Sequence, residues 1–304
     1  MGLLLGKTII VTGGAGGIGR AISLELGRLG ANVVVNDIGA SLTGEGGDMS
    51  GAQQIVAQIV ASGGKAVIDG HSIADWDGAQ AIVQTALDTF GGLHGVVNNA
   101  GILRDRYFHN MDPAEWRAVI DVNLSGYFYV SRAAAPVFRR QEGGAYVHFT
   151  STAGLVGTTG QANYGAAKAG IVGLSKQIAL DMERFGVRSN CVSPFAWTRM
   201  TSNIPSDTPE QAERVRKLSQ MSPEKIAPLV AYLLSDAAKG VNAQIFAQRN
   251  NEIFLMSQSR PIRSLHRADP GWTAESLAEY LEPVLRNNLY ALEQSRDVFP
   301  NDPV

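Results

Sequence analysis

Three side chains at fixed spacing could together transfer a proton: Ser151, Tyr164 thirteen positions later, and Lys168 four positions after that. Residues four apart on a helix share a face, so the Lys168 ammonium can lie beside the Tyr164 phenol. A free tyrosine has a pKa of ~10 and is a poor acid or base near neutral pH, whereas a neighbouring cation stabilises the phenolate. We therefore expect Lys168 to bring the pKa of Tyr164 towards the working pH, with Ser151 arriving from a preceding strand.

A glycine-rich turn near the start of the chain predicts a partner for this proton transfer. A short apolar run at 7–12 precedes five glycines between positions 13 and 19, and a helical pattern follows at 20–29. Glycines let the backbone approach a pyrophosphate, and the start of the next helix offers amide hydrogens to that anion. Packing alone could also require such a turn.

Asp37 strengthens the interpretation as a dinucleotide site. It follows the β-branched run 32–36 (NVVVN) and lies about 20 residues past the glycines, where an acid can hydrogen-bond a ribose 2′-hydroxyl. The carboxylate would repel a 2′-phosphate, and Ala15, Gly16 and Ile38 supply no compensating cation. The sequence therefore favours NAD over NADP as the cofactor.

Composition excludes several other classes of protein. The chain has 304 residues, 45% of them hydrophobic, and a net charge of −2, which leaves no basic face for nucleic acid. Its single cysteine, Cys191, excludes an internal disulfide and is better explained as a packed residue than as a nucleophile. The sequence shows no signal peptide and no apolar run of ~20 residues, so we expect a cytoplasmic protein without a membrane partner. No metal site is predicted.

Apolar β-rich runs alternate with helical patterns along the chain. Strands are predicted at 8–11, 33–36, 66–68, 95–98, 145–150 and 188–192, and helices at 18–29, 51–62, 76–90, 113–139, 161–185 and 224–235. This order predicts an α/β fold: a single-domain, Rossmann-type, doubly wound parallel sheet with helices on both faces. The glycine-rich stretch 39–51 interrupts it, either as a surface loop beside the adenosine or as an insertion without function.

The motifs together resemble the short-chain dehydrogenase/reductase family, in its classical type. The marks of that family in this sequence are 12–19 (TGGAGGIG), 98–101 (NNAG), Asn123, Ser151 and 164–168 (YGAAK).

A narrower resemblance runs from about residue 5 to about residue 254. It is to the (R)-3-hydroxyacyl-CoA dehydrogenase domain of type 2 peroxisomal multifunctional enzymes, and it rests on 33–39 (VVVNDIG), 98–106 (NNAGILRDR), 160–164 (GQANY) and 193–200 (SPFAWTRM). Phe195 departs from the broader family, many of whose members have glycine after the proline. The usual glycine-rich end after the last strand is also missing.

The resemblance implies roles for four catalytic residues. Tyr164 would act as general base on a substrate hydroxyl, Lys168 would lower its pKa and bind the nicotinamide ribose, and Ser151 would hydrogen-bond the developing carbonyl. The amide of Asn123 could hold a water that links Lys168 to solvent, or it could be a helix-packing residue. The cofactor itself carries the hydride chemistry.

The same resemblance implies the remaining cofactor contacts. Gly13, Gly17, Ile18 and Gly19 would face the pyrophosphate. The other expected contacts are Ser72 and Ile73 with the adenine, Asn99 and Gly101 with the adenine ribose, and Trp197 and Thr198 with the nicotinamide carboxamide. Trp197 could equally form a wall of the substrate pocket.

The substrate is predicted only as a class of small molecule. Arg104 and Arg106 could meet the phosphates of CoA, although exposed loop arginines are usually only solvated. Apolar side chains could enclose an acyl chain or a fused ring, namely Leu155, Val156, Phe195, Trp197 and Met200. The first hypothesis is a 3-hydroxyacyl-CoA dehydrogenase, the second a dehydrogenase of hydroxysteroids or other cyclic secondary alcohols, and the third a non-catalytic dinucleotide-binding protein. The polar stretch 202–208 and the helix-like run 210–217 could form a lid or a spacer.

The end of the chain is unusual for the family. Residues 1–256 are predicted to form the NAD-binding domain, and 257–304 a helical C-terminal extension. There Thr273 can cap an amphipathic helix. Its apolar stripe comprises Leu277, Tyr280, Leu281, Val284, Leu285, Leu289 and Leu292. The stripe could pack on its own domain or cover a neighbouring subunit, and we expect a homodimer or homotetramer.

Overall fold

One sheet organises the chain. The computed structural model describes residues 2–41, 44, 47–197 and 208–300. Within these ranges, eight strands are joined in the order β3-β2-β1-β4-β5-β6-β7-β8. The strands are β1 (Thr8–Thr12), β2 (Asn32–Asn36), β3 (Lys65–Asp69), β4 (Gly95–Asn98), β5 (Gly144–Phe149), β6 (Val187–Phe195), β7 (Ile245–Arg249) and β8 (Glu252–Leu255).

The strand order creates a crevice at the carboxyl edge of the sheet. β1 pairs with β2 on one side and with β4 on the other, so the chain reverses its direction of winding between these strands. All pairings are parallel from β3 to β7, and β8 then returns antiparallel to β7. In open parallel sheets, ligands bind at such a reversal, outside the carboxyl ends of the strands.

Helices cover both faces of the sheet. In chain order they are α1 (Gly17–Arg28), α2 (Ser50–Ala61), α3 (Trp76–Phe90), α4 (Pro113–Ile120), α5 (Gly126–Gln141), α6 (Thr152–Leu155), α7 (Ala162–Met182), α8 (Pro209–Ser219), α9 (Ala227–Leu234), α10 (Ala274–Leu285) and α11 (Ser295–Val298). Helices α1, α2 and α9 bury their apolar side chains against one face. Helices α3, α5 and α7 bury theirs against the other face. The doubly wound fold predicted from the sequence is confirmed.

The structure differs from the prediction in two places. The single helix predicted at 113–139 is interrupted by one π-helical turn (Asp121–Ser125), which separates α4 from α5. Strands β7 and β8 were not predicted, and β8 is the antiparallel edge that ends the sheet. The predicted helix at 210–217 is present as α8, which Thr208 caps.

The C-terminal extension is helical, as predicted, and Thr273 caps α10 by accepting a hydrogen bond from the backbone N–H of Ser276. The stripe of α10 is half open to solvent: Tyr280 is 46% exposed and Leu281 is 42% exposed. The described part of the chain therefore does not cover it. No helix in that part is long and apolar enough to cross a membrane.

The far end of the extension does return to the main domain. The Ser295 backbone N–H and hydroxyl both donate to the carbonyl oxygen of Gly157, each at 3.0 Å. The ring of Phe299 packs edge-on against Phe195 and Phe254, with ring centroids 4.9 and 5.3 Å away.

A neutral histidine lies at the centre of the sheet. His148 on β5 is fully buried, Asn98 lies 3.1 Å from its Nδ1, and its Nε2 is 3.1 Å from the Ser189 hydroxyl. Because the Asn98 amide donates to Nδ1, the proton sits on Nε2 and bonds Ser189. Burial, followed by the charge of Lys168, lowers the pKa of His148 to about 3.

This histidine makes the stability of the fold depend on pH. As the pH falls through ~6.5, His148 becomes protonated in the unfolded chain, whereas in the folded chain it stays neutral down to about pH 3. The free energy of unfolding therefore decreases as the pH is lowered through this window. We expect His148→Gln to reduce the slope between pH 6 and pH 4 by about 1 kcal/mol per pH unit, measured by urea unfolding. The exposed His266→Gln is the control. A slope that His148→Gln leaves at the wild-type value would contradict this account.

Candidate active site

A cavity of about 620 Å³ opens at the carboxyl edge of the sheet, in the crevice between β1 and β4. It collects most of the residues that the sequence singled out. Its lining includes Gly13, Gly17, Ile18, Asp37, Ser72, Ile73, Asn99, Gly101, Ser151, Tyr164 and Lys168. Gly19, Asn123 and Trp197 lie outside this lining, and Thr198 lies outside the described residues.

The glycine turn after β1 is built for close approach. Gly13 has φ +63°, and a Cβ there would lie 2.9 Å from the Cα of Ala100. A Cβ on Gly19 would lie only 1.9 Å from the carbonyl oxygen of Gly13. Gly19 therefore packs α1 against the turn, while Gly13 and Gly17 form the surface of the cavity.

Two side chains that clamp β1 to β4 hold the turn in place. The Asn99 amide donates to the carbonyl oxygens of Thr12 and Gly13, at 3.0 and 3.1 Å. The Thr12 hydroxyl accepts hydrogen bonds from the backbone N–H groups of Asn99 and Ala100. Sequence reasoning missed Thr12, whose position directly before the glycines was the available signal.

Asp37 follows β2 at the rim of the same cavity. One carboxylate oxygen accepts from the Ala15 backbone N–H at 3.0 Å and the other from that of Gly39 at 2.9 Å. The carboxylate is thus fixed between the glycine turn and the glycine-rich loop. Ala40, Ser41 and Gly44 of that loop also line the cavity.

The segment after β3 closes the same end of the cavity. Ser72 and Ile73 both line it, as does His71. The segment is held by Asp69, whose carboxylate accepts hydrogen bonds from the Asn36 amide and the Thr85 hydroxyl, at 2.8 and 2.7 Å. This network around a buried carboxylate was not predicted from the sequence.

Ser151, Tyr164 and Lys168 meet at the opposite end of the cavity. Ser151 follows β5 and caps the short helix α6, accepting from the backbone N–H of Ala153 at 3.2 Å. Tyr164 and Lys168 lie one turn apart on α7, as the spacing predicts. The Lys168 ammonium donates to the carbonyl oxygen of Phe149 at 2.8 Å and lies 5.5 Å from the centre of the Tyr164 ring.

The pKa of Tyr164 moves opposite to the sequence-based expectation. Burial raises it to about 12, although the hydrogen bond with Ser151 acts to lower it and the negative charge of Asp105 adds to the rise. Lys168 is only 3% exposed, and burial lowers its pKa to about 7. Desolvation therefore dominates both groups and favours the neutral pair.

Asn123 lies in the π-helical turn and is fully buried. Its amide oxygen accepts from the Ile102 backbone N–H at 2.9 Å, and its NH₂ group donates to the Ile102 carbonyl oxygen at 3.0 Å. The side chain thus ties the loop after β4 to the break between α4 and α5. This contact fits the packing alternative more directly than the water-holding one.

The two arginines after β4 have different surroundings. Arg106 is paired with Glu115, Nη2 to carboxylate oxygen at 2.7 Å, whereas Arg104 lines the cavity. The predicted apolar pocket is not formed by the described residues, since Leu155, Val156, Phe195 and Trp197 all lie outside the lining of the cavity. Phe195 packs instead against Phe299, and Leu155 packs against the core. Met200 and residues 202–207 of the predicted lid lie outside the described residues.

Cys191 on β6 is a packed residue, as predicted. It is buried, and burial raises the pKa of its thiol to about 12, which keeps it neutral.

Comparison with known proteins agrees with this fold. Residues 13–248 match the model of the enoyl-(acyl carrier protein) reductase family. The chain is 39% identical over 286 residues to the hydroxyacyl-CoA dehydrogenase ChsB1 of Mycobacterium tuberculosis, covering 91% of this chain and 88% of that protein. It is also 36% identical over 310 residues to the peroxisomal hydratase-dehydrogenase-epimerase of Neurospora crassa. That match covers 98% of this chain but only 33% of the longer protein.

A solved structure shows the same architecture. The crystal structure of a short chain dehydrogenase from Mycobacterium avium superposes with a TM-score of 0.82 at 39% identity, covering 94% of this chain and 96% of that one. The chain belongs to the short-chain dehydrogenase/reductase family and is one of its dehydrogenases. Members of this family typically depend on a nicotinamide dinucleotide.

The residues present fit such a cofactor. The glycine turn leaves no room for side chains beside β4. Helix α1 begins at Gly17, and its first turn, which is fully described, has no acidic side chain. A helix start of this kind favours a bound phosphate group. Asp37 at one end of the cavity and Lys168 at the other would bracket the two riboses.

The close packing at Gly19 predicts that a single methyl group disturbs the cofactor site. In Gly19→Ala the Cβ collides with Gly13, so we expect a lower melting temperature and NADH binding weakened about tenfold or more, measured by fluorescence titration. Gly173→Ala is the matched control, because Gly173 lies in α7 with open space around its Cα and alanine favours a helix by ~1 kcal/mol. Equal NADH affinity in both variants would refute the packing argument.

Proposed function

We propose that the protein is an NAD-dependent dehydrogenase of 3-hydroxyacyl-CoA thioesters, using the secondary hydroxyl as hydride donor. The observation that carries the proposal is that one cavity has Asp37 at one end and Ser151, Tyr164 and Lys168 at the other. The names of the relatives support the substrate class, since one is a hydroxyacyl-CoA dehydrogenase that this chain covers almost completely.

In this proposal Tyr164 takes the hydroxyl proton of the substrate. Its phenolate forms only while Lys168 is charged nearby, since an opposite charge favours the ionised form. Ser151 donates a hydrogen bond to the oxygen as it becomes a carbonyl, and the same hydroxyl already lowers the pKa of Tyr164. The nicotinamide supplies the hydride acceptor. Asn123 acts by holding Ile102 and the π-helical turn, which shape the wall beside Lys168.

The proposed cofactor contacts follow the lining of the cavity. Gly13, Gly17 and Ile18 would meet the pyrophosphate, with Gly19 supporting them. Ser72 and Ile73 would meet the adenine, Asn99 and Gly101 its ribose side, and Lys168 the nicotinamide ribose. Trp197 and Thr198 remain predictions for the carboxamide.

The CoA part of the substrate is assigned to the side of the cavity that Arg104 lines. Arg104 would meet phosphate groups of CoA there. The homodimer or homotetramer, the division into 1–256 and 257–304, and the cytoplasmic location stay proposals. The exposed stripe of α10 supports the first of these.

Replacement of the base should abolish turnover without loss of binding. We expect Tyr164→Phe to lower kcat at least about 1000-fold, because the phenol is the group that takes the proton, and to bind NADH within a few-fold of wild type. NADH absorbance measures turnover with (3R)- and (3S)-3-hydroxyacyl-CoA and with hydroxysteroids. Tyr232→Phe, on α9 and away from the cavity, is the control.

This panel also separates the two substrate classes. Turnover of the (3R)-thioesters supports the proposal. Turnover of hydroxysteroids or other cyclic alcohols alone would replace it with the alternative substrate class.

Asp37 should set the choice between NAD and NADP. We expect wild type to prefer NAD. Asp37→Asn should reduce the ratio of kcat/KM for NAD over NADP by about tenfold, equivalent to ~1.4 kcal/mol. The reason is that the 2′-phosphate of NADP no longer meets a negative charge. Asparagine can still accept the hydrogen bond from Ala15. Asp48→Asn removes a charge from the nearby loop and should leave the ratio unchanged. An unaltered ratio in Asp37→Asn would overturn this role.

A further inference from the structure

The charge of Lys168 has an unusual set of neighbours. Nζ is buried and donates to the Phe149 carbonyl oxygen at 2.8 Å and to the Tyr127 hydroxyl at 3.2 Å. Among the described residues, no carboxylate forms an ion pair with it. A buried ammonium without a counter-ion must be held by neutral acceptors and aromatic faces.

Tyr127 supplies both kinds of contact. It is the second residue of α5 and is fully buried, and the centre of its ring lies 4.8 Å from Nζ. That ring is closer to the ammonium than the ring of Tyr164, which is 5.5 Å away. Burial raises the pKa of Tyr127 well above its ordinary value, so its hydroxyl stays a neutral acceptor.

The local backbone brings Tyr127 to this position. It lies two residues after the π-helical turn, and Asn123 on that turn is anchored to Ile102. Gly126 lets α5 begin close to Ile73, since a Cβ at Gly126 would lie 2.9 Å from the Ile73 side chain. The break in the helix therefore leads directly into the residue that contacts Lys168.

We propose that Tyr127 is a positioning residue of this dehydrogenase: its hydroxyl and ring hold Lys168 in place as an ammonium beside Tyr164. The proposal rests on the proposed function, in which the charged lysine stabilises the Tyr164 phenolate. A carboxylate in place of Tyr127 would neutralise that charge, whereas a phenol binds the ammonium and leaves its field intact.

The other ionisable groups around Lys168 are neutral at pH 7. His148 on β5 has a pKa of about 3, and Cys191 on β6 has a pKa of about 12. Tyr164 on the same helix has a pKa of about 12, to which burial and the negative charge of Asp105 both raise it. Since burial lowers the pKa of Lys168 to about 7, loss of one acceptor should shift its titration visibly.

The direct test measures the titration of Lys168 itself, without cofactor or substrate. The ¹⁵Nζ resonance of Lys168, assigned by its loss in Lys168→Arg, is followed with pH in wild type, Tyr127→Phe and Tyr146→Phe. We expect the pKa of Lys168 to fall by about one unit in Tyr127→Phe, since a hydrogen bond to a charged group is lost. Tyr127→Leu, which also removes the ring, should lower it further.

Tyr146→Phe is the matched control. Tyr146 is a second buried tyrosine, and its hydroxyl donates to the Ser131 carbonyl oxygen at 2.9 Å instead of contacting Lys168. It should leave the titration of Lys168 unchanged. The proposal is overturned if Lys168 has the same pKa in wild type and in Tyr127→Phe. It is also overturned if Tyr146→Phe shifts the pKa of Lys168 as much as Tyr127→Phe does.

The pH profile of kcat supplies a second readout. In the active state Tyr164 has lost its proton and Lys168 keeps its own. In the inactive state Lys168 has lost its proton and Tyr164 keeps its own. The two states bind the same number of protons, so pH does not change the ratio between them. A lower pKa of Lys168 should therefore leave kcat unchanged at low pH, move the midpoint of the acid limb down by about one unit and reduce the plateau about tenfold. A uniform loss at every pH would indicate a merely structural role and would count against the proposal.

The two proposals can fail separately. Absence of turnover with every secondary alcohol would end the proposed function, while the titration of Lys168 would still decide whether Tyr127 holds it.

Discussion

In the proposed mechanism Lys168 has to carry a positive charge where almost no water reaches it. It sits at the end of the central strands, 3% exposed, and its hydrogen bond to Phe149 ties α7 to the end of β5. Desolvation favours loss of its proton, and the same desolvation opposes ionisation of Tyr164. The surroundings must therefore stabilise charge without cancelling it, and the carbonyl oxygen, the phenol and the ring faces around Nζ meet that condition. His148, which precedes Phe149 on β5, is neutral and so adds no second positive charge beside Lys168.

The two ends of the cavity depend on different kinds of constraint. At the glycine turn the constraint is steric, because Gly13 and Gly19 pack so closely that even a Cβ has no place. Around Ser151, Tyr164 and Lys168 the constraint is electrostatic, because burial and hydrogen bonds determine the protonation of these groups. The clamp of Thr12 and Asn99 holds β1 against β4 at the glycine turn.

Much of this arrangement could be read from the sequence, because its signals are local. The glycine turn, the acid at 37 and the spacing of Tyr164 and Lys168 each reflect a short stretch of backbone, and the structure brings them together at one cavity. The features that were missed depend on contacts between distant residues. The π-helical turn at 121–125 continues an unbroken helical pattern and is tied through Asn123 to Ile102, 21 positions away. The rise in the pKa of Tyr164 follows from burial, which spacing alone does not reveal.

The return of the extension to the main domain joins residues that are far apart along the chain. Ser295 bonds Gly157, 138 positions earlier, and Phe299 packs on Phe195 at the end of β6. Gly157 lies after β5, and Phe195 is the last residue of β6. During synthesis these two residues leave the ribosome well before Ser295 and Phe299, so the contacts can form only after residues 295–299 have emerged. Nascent chains would thus fold much of the sheet first and add these contacts afterwards.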